Sequence, residues 1–157
     1  MKIKKSLGAI LIKQNQKLII DYFDLPKNLL RGQVLVKVKL TGVCGSQIGE
    51  IKGIKGKDIY LPHLLGHEGV GHVLERHNSV KKVKSGDRVL LHWMPSKGYD
   101  ALAPKYRWKN KVLNAGKLTT FNEYAVVSEN RVTKISRDVT DKNAVLLGCT
   151  ASTAIGS

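Results

Sequence analysis

The segment Val34-Leu35-Val36-Lys37-Val38-Lys39-Leu40 decides the fold class. Val34, Val36, Val38 and Leu40 alternate with Leu35, Lys37 and Lys39, and successive side chains of a strand point to opposite faces of its sheet. The alternation therefore predicts a strand with one face buried and the other mostly in water.

Similar short runs recur through the first 140 residues, separated by turn residues such as Ser85-Gly86-Asp87. They are Lys17–Asp21, Gly69–Arg76, Asp87–Trp93, Asn122–Ser128 and Arg131–Ile135. Many short strands joined by turns are typical of barrels and sandwiches. We expect a mainly β domain with short helices, most simply a partly open β-barrel or a sandwich.

Two regions depart from the strand pattern. The stretch Ser96–Gly116 is rich in Lys, Gly and Asn, and we expect a long surface excursion there. Near the end of the chain, Thr140 or Asp141 could cap a helix that continues to Leu147, and Cys149–Ile155 is built of small residues that favour another packed element. The pattern predicts a domain over residues 1–140 and a following segment over residues 141–157.

The charge and composition of the chain limit the classes of partner that it can have. Lys and Arg number 27 against 12 Asp and Glu, a net charge of +15, but the lysines are scattered and form no dense basic tail or helix face. We therefore expect a solvated basic surface with no nucleic-acid partner, and leave open a binding module for nucleic acid or another anionic partner.

No apolar run approaches the roughly 20 residues of a membrane helix, so no membrane partner is expected. Two cysteines 105 positions apart favour reduced thiols, and hence a cytoplasmic protein, over a disulfide scaffold.

Two glycine-flanked segments carry residue types that suit zinc. They are Gly42-Val43-Cys44-Gly45-Ser46 and Gly66-His67-Glu68-Gly69-Val70-Gly71. Catalytic zinc takes three thiolate or imidazole ligands and keeps a fourth position open, and Cys149 is the only other cysteine. Each residue has an ordinary alternative, since a lone cysteine is commonly a small buried hydrophobe and a lone histidine a hydrogen-bonded one. The spacing alone does not show that the three side chains converge.

Taken together, these motifs resemble the amino-terminal, GroES-like catalytic domain of medium-chain zinc-dependent alcohol dehydrogenases. The resemblance covers nearly the whole chain and includes Ser85-Gly86-Asp87-Arg88-Val89, Phe121-Asn122-Glu123-Tyr124 and Leu147-Gly148-Cys149 besides the two segments above. It implies a GroES-like barrel and an oxidoreductase that transfers hydride between a small alcohol or aldehyde and NAD or NADP.

The resemblance also implies roles for individual residues. Cys44, His67 and Cys149 would hold one catalytic zinc, with Glu68 beside the metal as a supporting group or transient ligand. Ser46 would receive the alcohol proton, although a serine at a strand end can equally cap the next turn. Trp93 would form a wall of the substrate pocket, although an aromatic after a strand is as often plain core.

Three positions depart from the family pattern. Gln47 stands where many members carry an acidic residue that supports the zinc-bound histidine, and an amide brings no charge to that role. Gly49 stands where some members have a histidine that passes the proton to solvent. Ser96–Gly116 lacks the four cysteines of the family's structural zinc lobe, so we expect one zinc and not two.

Members of the family continue into a Rossmann domain that binds the dinucleotide, and nothing after Cys149 matches its glycine-rich turn. We expect a fragment of a longer dehydrogenase, inactive alone and homo-oligomeric when complete, with a stand-alone zinc module as the alternative. No residue of this chain is assigned to cofactor binding. A zinc-free relative of the quinone-reductase kind also stays open, although the two cysteines and the histidine argue against it.

Overall fold

The computed structural model describes residues 1–156, so that Ser157, the last residue of the predicted segment 141–157, lies outside the described residues. The strands are β1 (Lys5–Leu11), β2 (Ile19–Asp24), β3 (Gln33–Thr41), β4 (His63–Leu64), β5 (Glu68–Arg76), β6 (Arg88–His92), β7 (Tyr106–Trp108), β8 (Lys111–Leu113), β9 (Tyr124–Ser128) and β10 (Val132–Lys134). The α-helices are α1 (Gly45–Ile51), α2 (Asp141–Leu146) and α3 (Thr150–Gly156). The prediction of a mainly β fold with short helices is confirmed.

The strands form two five-stranded sheets that curve into a nearly closed barrel. Their orders are β4-β1-β2-β7-β8 and β10-β6-β5-β3-β9, and every pairing between these strands is antiparallel. One core lies against the second sheet and contains Val34 and Val36, and a second core lies between the sheets and contains Leu35 and Phe23. The predicted barrel is confirmed.

Strand β3 differs from its predicted pattern in its first half. Val34, Leu35 and Val36 are all fully buried, so both faces of the strand are covered there and not one. Leu35 packs into the core that the first sheet closes, and sequence alternation alone could not reveal this second layer. Lys37 and Lys39, in the second half, are exposed as expected.

The predicted surface excursion at Ser96–Gly116 is wrong for its middle part, because it contains the hairpin of β7 and β8. Lys109 and Asn110 connect the strands with φ values of 46° and 63°, as a two-residue hairpin turn requires. Tyr106 is fully buried and its ring contacts Phe23 edge-on, with 5.0 Å between centroids. Burial of aromatic side chains fixes this segment to the barrel.

The predicted helix that leads to Leu147 is confirmed as α2, whereas the packed element predicted over Cys149–Ile155 is wrong in its packing, because α3 buries no residue. Thr140 is the N-cap of α2, and its hydroxyl accepts a hydrogen bond from the Asn143 N–H at 3.3 Å. Helix α2 buries Ala144 and Val145 against β5 and β6. Among residues 1–156, no helix combines the length and the apolar character that crossing a bilayer requires.

Candidate metal centre

Three segments that are distant in sequence converge at one end of the second sheet. Cys44 is the N-cap of α1, three positions after the last residue of β3, His67 directly precedes β5, and Cys149 lies between α2 and α3. One donor atom from each residue lies within 4.8 Å of the other two. The two sulfur atoms are 4.0 Å apart, close to the separation of about 3.8 Å that two Zn–S bonds of 2.3 Å give in a tetrahedron.

The His67 ring has one engaged nitrogen and one free nitrogen. Nδ1 lies 2.5 Å from the Gln47 side-chain nitrogen, while Nε2 is buried and has no hydrogen-bond partner among the described residues. Burial lowers the pKa of His67 and outweighs the negative charges of Glu68 and Glu50, which raise it. The ring is therefore neutral at neutral pH. An orphaned, neutral imidazole nitrogen beside two thiols is the donor set of a zinc site.

The two thiols differ in their surroundings. The Ser46 backbone N–H hydrogen-bonds to Cys44 and lowers the pKa of that half-buried thiol, whereas burial raises the pKa of Cys149. Neither cysteine forms a disulfide. A divalent cation favours the deprotonated form of both thiols, and two thiolates would balance its charge.

Helix α1, which sequence reasoning missed, places Ser46 and Gln47. Gln47 folds back so that its side-chain oxygen accepts a hydrogen bond from the Cys44 N–H at 3.1 Å. This arrangement corresponds to a capping box, and the spacing Cys44-x-x-Gln47 is its signal in the sequence. The Ser46 hydroxyl is buried near the Cys44 sulfur and has no partner of ordinary hydrogen-bond geometry among residues 1–156.

Glu68 connects the three ligand segments. Its backbone oxygen accepts hydrogen bonds from the Thr41 hydroxyl at 2.9 Å and from the Gly42 N–H at 3.2 Å. Its carboxylate, which is almost fully buried, accepts a hydrogen bond from the Thr150 N–H at 3.2 Å. Sequence reasoning missed Thr150, whose only signal is its place next to Cys149.

Glycines permit this close packing at two points. A Cβ on Gly42 would lie 2.5 Å from a Glu68 carboxylate oxygen, and a Cβ on Gly148 would lie 2.6 Å from the Leu91 backbone oxygen. A side chain at Gly42 would therefore displace the Glu68 carboxylate, and a side chain at Gly148 would push the Cys149 segment away from the backbone of β6.

Two cavities open beside His67. One of about 330 Å³ is lined by Ser46, Gln47 and His67, and one of about 520 Å³ is lined by Gln47, His67 and Leu118 among others. Both volumes lie in the range of small-molecule sites, about 300–1,000 Å³. Trp93 lines neither cavity; it follows β6 and is 45% exposed.

A second cluster, which sequence reasoning also missed, lies between the two cavities: Glu50 and Asp58 line the smaller one, and Glu50 and His63 line the larger one. His63 Nε2 is 2.7 Å from an Asp58 oxygen and 3.7 Å from a Glu50 oxygen, and its Nδ1 contacts the Leu64 backbone oxygen. These contacts join α1 and the following loop to β4. Gly49 lies in the same helix as Glu50, and the loss of an outer proton-relay residue at this position stays a prediction.

The sequence and fold match known dehydrogenases. The chain is 29% identical to S-(hydroxymethyl)glutathione dehydrogenase of Escherichia coli, over 98% of this chain and 48% of the relative. Its fold matches an alcohol dehydrogenase zinc-binding domain protein from Burkholderia ambifaria (TM-score 0.78, 22% identity, 98% of this chain and 48% of that one). It also matches benzyl alcohol dehydrogenase from Acinetobacter calcoaceticus (TM-score 0.76, 20% identity, 98% and 47%).

The chain thus spans about half the length of the relatives it matches. The model of the alcohol dehydrogenase GroES-like domain matches residues 30–137, which is more than half of the sequence and includes Cys44, His67 and Glu68. The predicted resemblance is confirmed, and the chain belongs to the alcohol dehydrogenase GroES-like domain family.

Proposed function

We propose that Cys44, His67 and Cys149 hold one zinc ion, and that the chain is the catalytic part of an NAD(P)-dependent alcohol dehydrogenase. The observation that carries the proposal is the convergence of two thiols on a buried, unpartnered imidazole nitrogen. This donor set fits zinc, and three protein ligands leave a fourth position for substrate. When bound, zinc would supply Lewis acidity towards the oxygen of an alcohol or aldehyde.

Ser46 is the proposed proton acceptor. Its buried hydroxyl has no partner of ordinary geometry within the described chain and lines the smaller cavity together with His67. A hydroxyl in this position can accept a proton from an alcohol and donate its own to water, provided that both lie within hydrogen-bond reach. The cavity offers that water a place among charged side chains of both signs, Glu50, Lys55, Lys57 and Asp58.

Glu68 is proposed to support the metal site by positioning the segments that carry its ligands. Its backbone and carboxylate hold the segments of Cys44 and Cys149 together, and its buried negative charge favours a cation nearby. A turn of the carboxylate away from Thr150 would make it a transient ligand, which is the other role that the family resemblance implies.

The remaining assignments extend the family reading to the complete enzyme. The substrate would be a small alcohol or aldehyde, with the exposed Trp93 forming a wall of the open face of the pocket. The nicotinamide cofactor would come from a nucleotide-binding domain beyond this region, and the complete enzyme would be a homo-oligomer. The free thiols that the site requires favour a reducing compartment such as the cytoplasm.

The test is the zinc content of the protein and of three variants. We expect about one zinc per chain, lost in Cys44→Ser and in His67→Ala. His72→Ala is the matched control, because His72 lies on β5 outside the cluster and its loss should leave the zinc in place. In the complete enzyme, the first two variants should also lose NAD(P)-dependent alcohol oxidation. Retention of both zinc and oxidation in those variants would contradict the proposal.

A further inference from the structure

The Gln47 side chain serves two neighbours at once. It is 3% exposed, its oxygen accepts the Cys44 N–H at 3.1 Å, and its nitrogen lies 2.5 Å from His67 Nδ1. A backbone N–H can only donate, so the Cys44 N–H fixes the amide oxygen on its own side. The NH₂ group of Gln47 therefore faces the imidazole ring.

This orientation sets the position of the ring proton. An NH₂ group facing an Nδ1–H would place two donors against each other, so Nδ1 must present its lone pair. In the neutral ring the proton then sits on Nε2. Nε2 is the nitrogen that remains for a metal, because Nδ1 is engaged by Gln47, and a protonated nitrogen has no lone pair to offer.

We propose that Gln47 is a positioning residue that holds metal-free His67 in its Nε2–H tautomer, and that the Gln47 amide must turn over before Nε2 can bind a metal ion. The inference rests on the zinc site of the proposed function. After the turn, the amide oxygen accepts a hydrogen bond from Nδ1–H, and the NH₂ group faces the Cys44 N–H, which then lacks an acceptor. Both tautomers of His67 are neutral, so the switch needs no change in its charge.

Cys44 and His67 lie at the two ends of the Gln47 amide, so its single oxygen can face Cys44 or metal-bound His67, but not both. A carboxylate is acceptor-only at both oxygens and would satisfy the two donors together. Gln47 therefore opposes metal binding in this chain, and Gln47→Glu should remove the conflict without changing the length of the side chain. Outer hydrogen-bond partners of metal-bound histidines typically change metal affinity by about 10- to 100-fold.

The first measurement is the tautomer of His67 in the metal-free protein. Nitrogen-15 NMR of the imidazole rings at about pH 8, above the ordinary pKa of histidine, distinguishes Nε2–H from Nδ1–H by the nitrogen shifts and their couplings to the ring protons. His67 is assigned among the five histidines by comparison with His67→Asn. We expect Nε2–H in the unchanged protein and Nδ1–H in Gln47→Glu. An Nδ1–H ring in the unchanged protein would overturn the proposal.

The second measurement is zinc affinity, by competition with a chromophoric chelator. Gln47→Glu should bind zinc about 10- to 100-fold more tightly than the unchanged protein. Gln14→Glu is the matched control: Gln14 lines the same cavity and hydrogen-bonds to Gly56 and Asp58, not to His67. It adds the same charge, and we expect little change in affinity.

The outcomes separate this inference from the zinc proposal. Equal affinity in Gln47→Glu and the unchanged protein, or an equal gain in Gln14→Glu, would overturn the role of the Gln47 hydrogen bonds. Failure of every form to bind zinc would overturn the proposed function. In that case the tautomer of the unchanged protein, which is measured without zinc, still decides whether Gln47 sets the ring proton.

Discussion

The Glu68 carboxylate accepts a hydrogen bond from the Thr150 N–H, although the two residues are 82 positions apart. Glu68 follows His67 and Thr150 follows Cys149, so this bond joins the segments of two proposed ligands. A buried acceptor of this kind fixes ligand geometry before the metal arrives. The preorganisation of the site can therefore be tested without changing Cys44, His67 or Cys149.

We expect Glu68→Ala to lower zinc affinity by about 10-fold or more, because the Cys149 segment loses its hydrogen bonds to Glu68 and the site loses a buried negative charge. Glu68→Gln keeps an acceptor for the Thr150 N–H and should lose less. Chelator competition on the unchanged protein and both variants measures the difference. Equal affinities in all three would show that the Glu68–Thr150 bond does not position Cys149.

Gly148 should be intolerant of any side chain. A Cβ there would lie 2.6 Å from the Leu91 backbone oxygen and 2.8 Å from the Glu68 Cβ, and backbone cannot move aside cheaply. We expect Gly148→Ala to lower the free energy of unfolding by about 1–3 kcal/mol, measured by urea denaturation of the metal-free protein.

Gly49→Ala is the control for that experiment. A Cβ at this position in α1 would meet only a terminal carbon of Ile54, at 3.9 Å, which is an ordinary contact. Alanine is the better residue inside a helix, by about 0.5–1 kcal/mol, so stability should stay the same or rise. A similar loss in both variants would contradict the packing argument at Gly148.

Asp141 should make stability depend on acid pH. Hydrogen bonds from Lys39 and then Arg88 hold the pKa of Asp141 below its usual range in the folded protein. The unfolded chain has the ordinary Asp value of about 3.9, so the stabilisation is fully present above that pH and disappears as the pH falls through the lower, folded pKa.

We expect Asp141→Asn to lose about 1 kcal/mol or less at neutral pH, because Lys39 is 60% exposed and solvent screens its ion pair. The difference from the unchanged protein should shrink below about pH 4. Asp138→Asn is the control, since that exposed carboxylate accepts a hydrogen bond from the neutral Ser136 hydroxyl. Thermal unfolding between acid and neutral pH measures both, and a difference that persists in acid would contradict the role of the ion pairs.

The elements with a strong local signal could be predicted from the sequence. The alternation around Val36 and the Thr140 cap depend on residues close together in the chain, and both gave the correct element. The convergence of Cys44, His67 and Cys149 was expected from the family resemblance and not from spacing. Contacts between distant residues, such as Glu68 with Thr150, leave no local pattern to read.

Short elements held by distant partners were also out of reach. Strands β7 and β8 have three residues each, too few for a period to show, and a lysine-rich stretch around them reads as solvent-exposed. What orders the hairpin is the burial of Tyr106 and Trp108 against a sheet formed by residues far earlier in the chain. The buried second face of β3 has the same cause, because Leu35 lies in that core.

Tyr106 gives a direct test of the hairpin as part of the core. Its hydroxyl is fully buried and accepts a hydrogen bond from the Val126 N–H at 2.8 Å, on the side of β9 that faces away from β3. Tyr106→Phe leaves that buried N–H without its acceptor, and we expect a loss of about 1–3 kcal/mol in the free energy of unfolding. Tyr22→Phe removes the same hydroxyl from a side chain that is 59% exposed and should cost little. Equal stability of Tyr106→Phe and the unchanged protein in urea denaturation would mean that the hairpin contributes to the barrel through apolar contact alone.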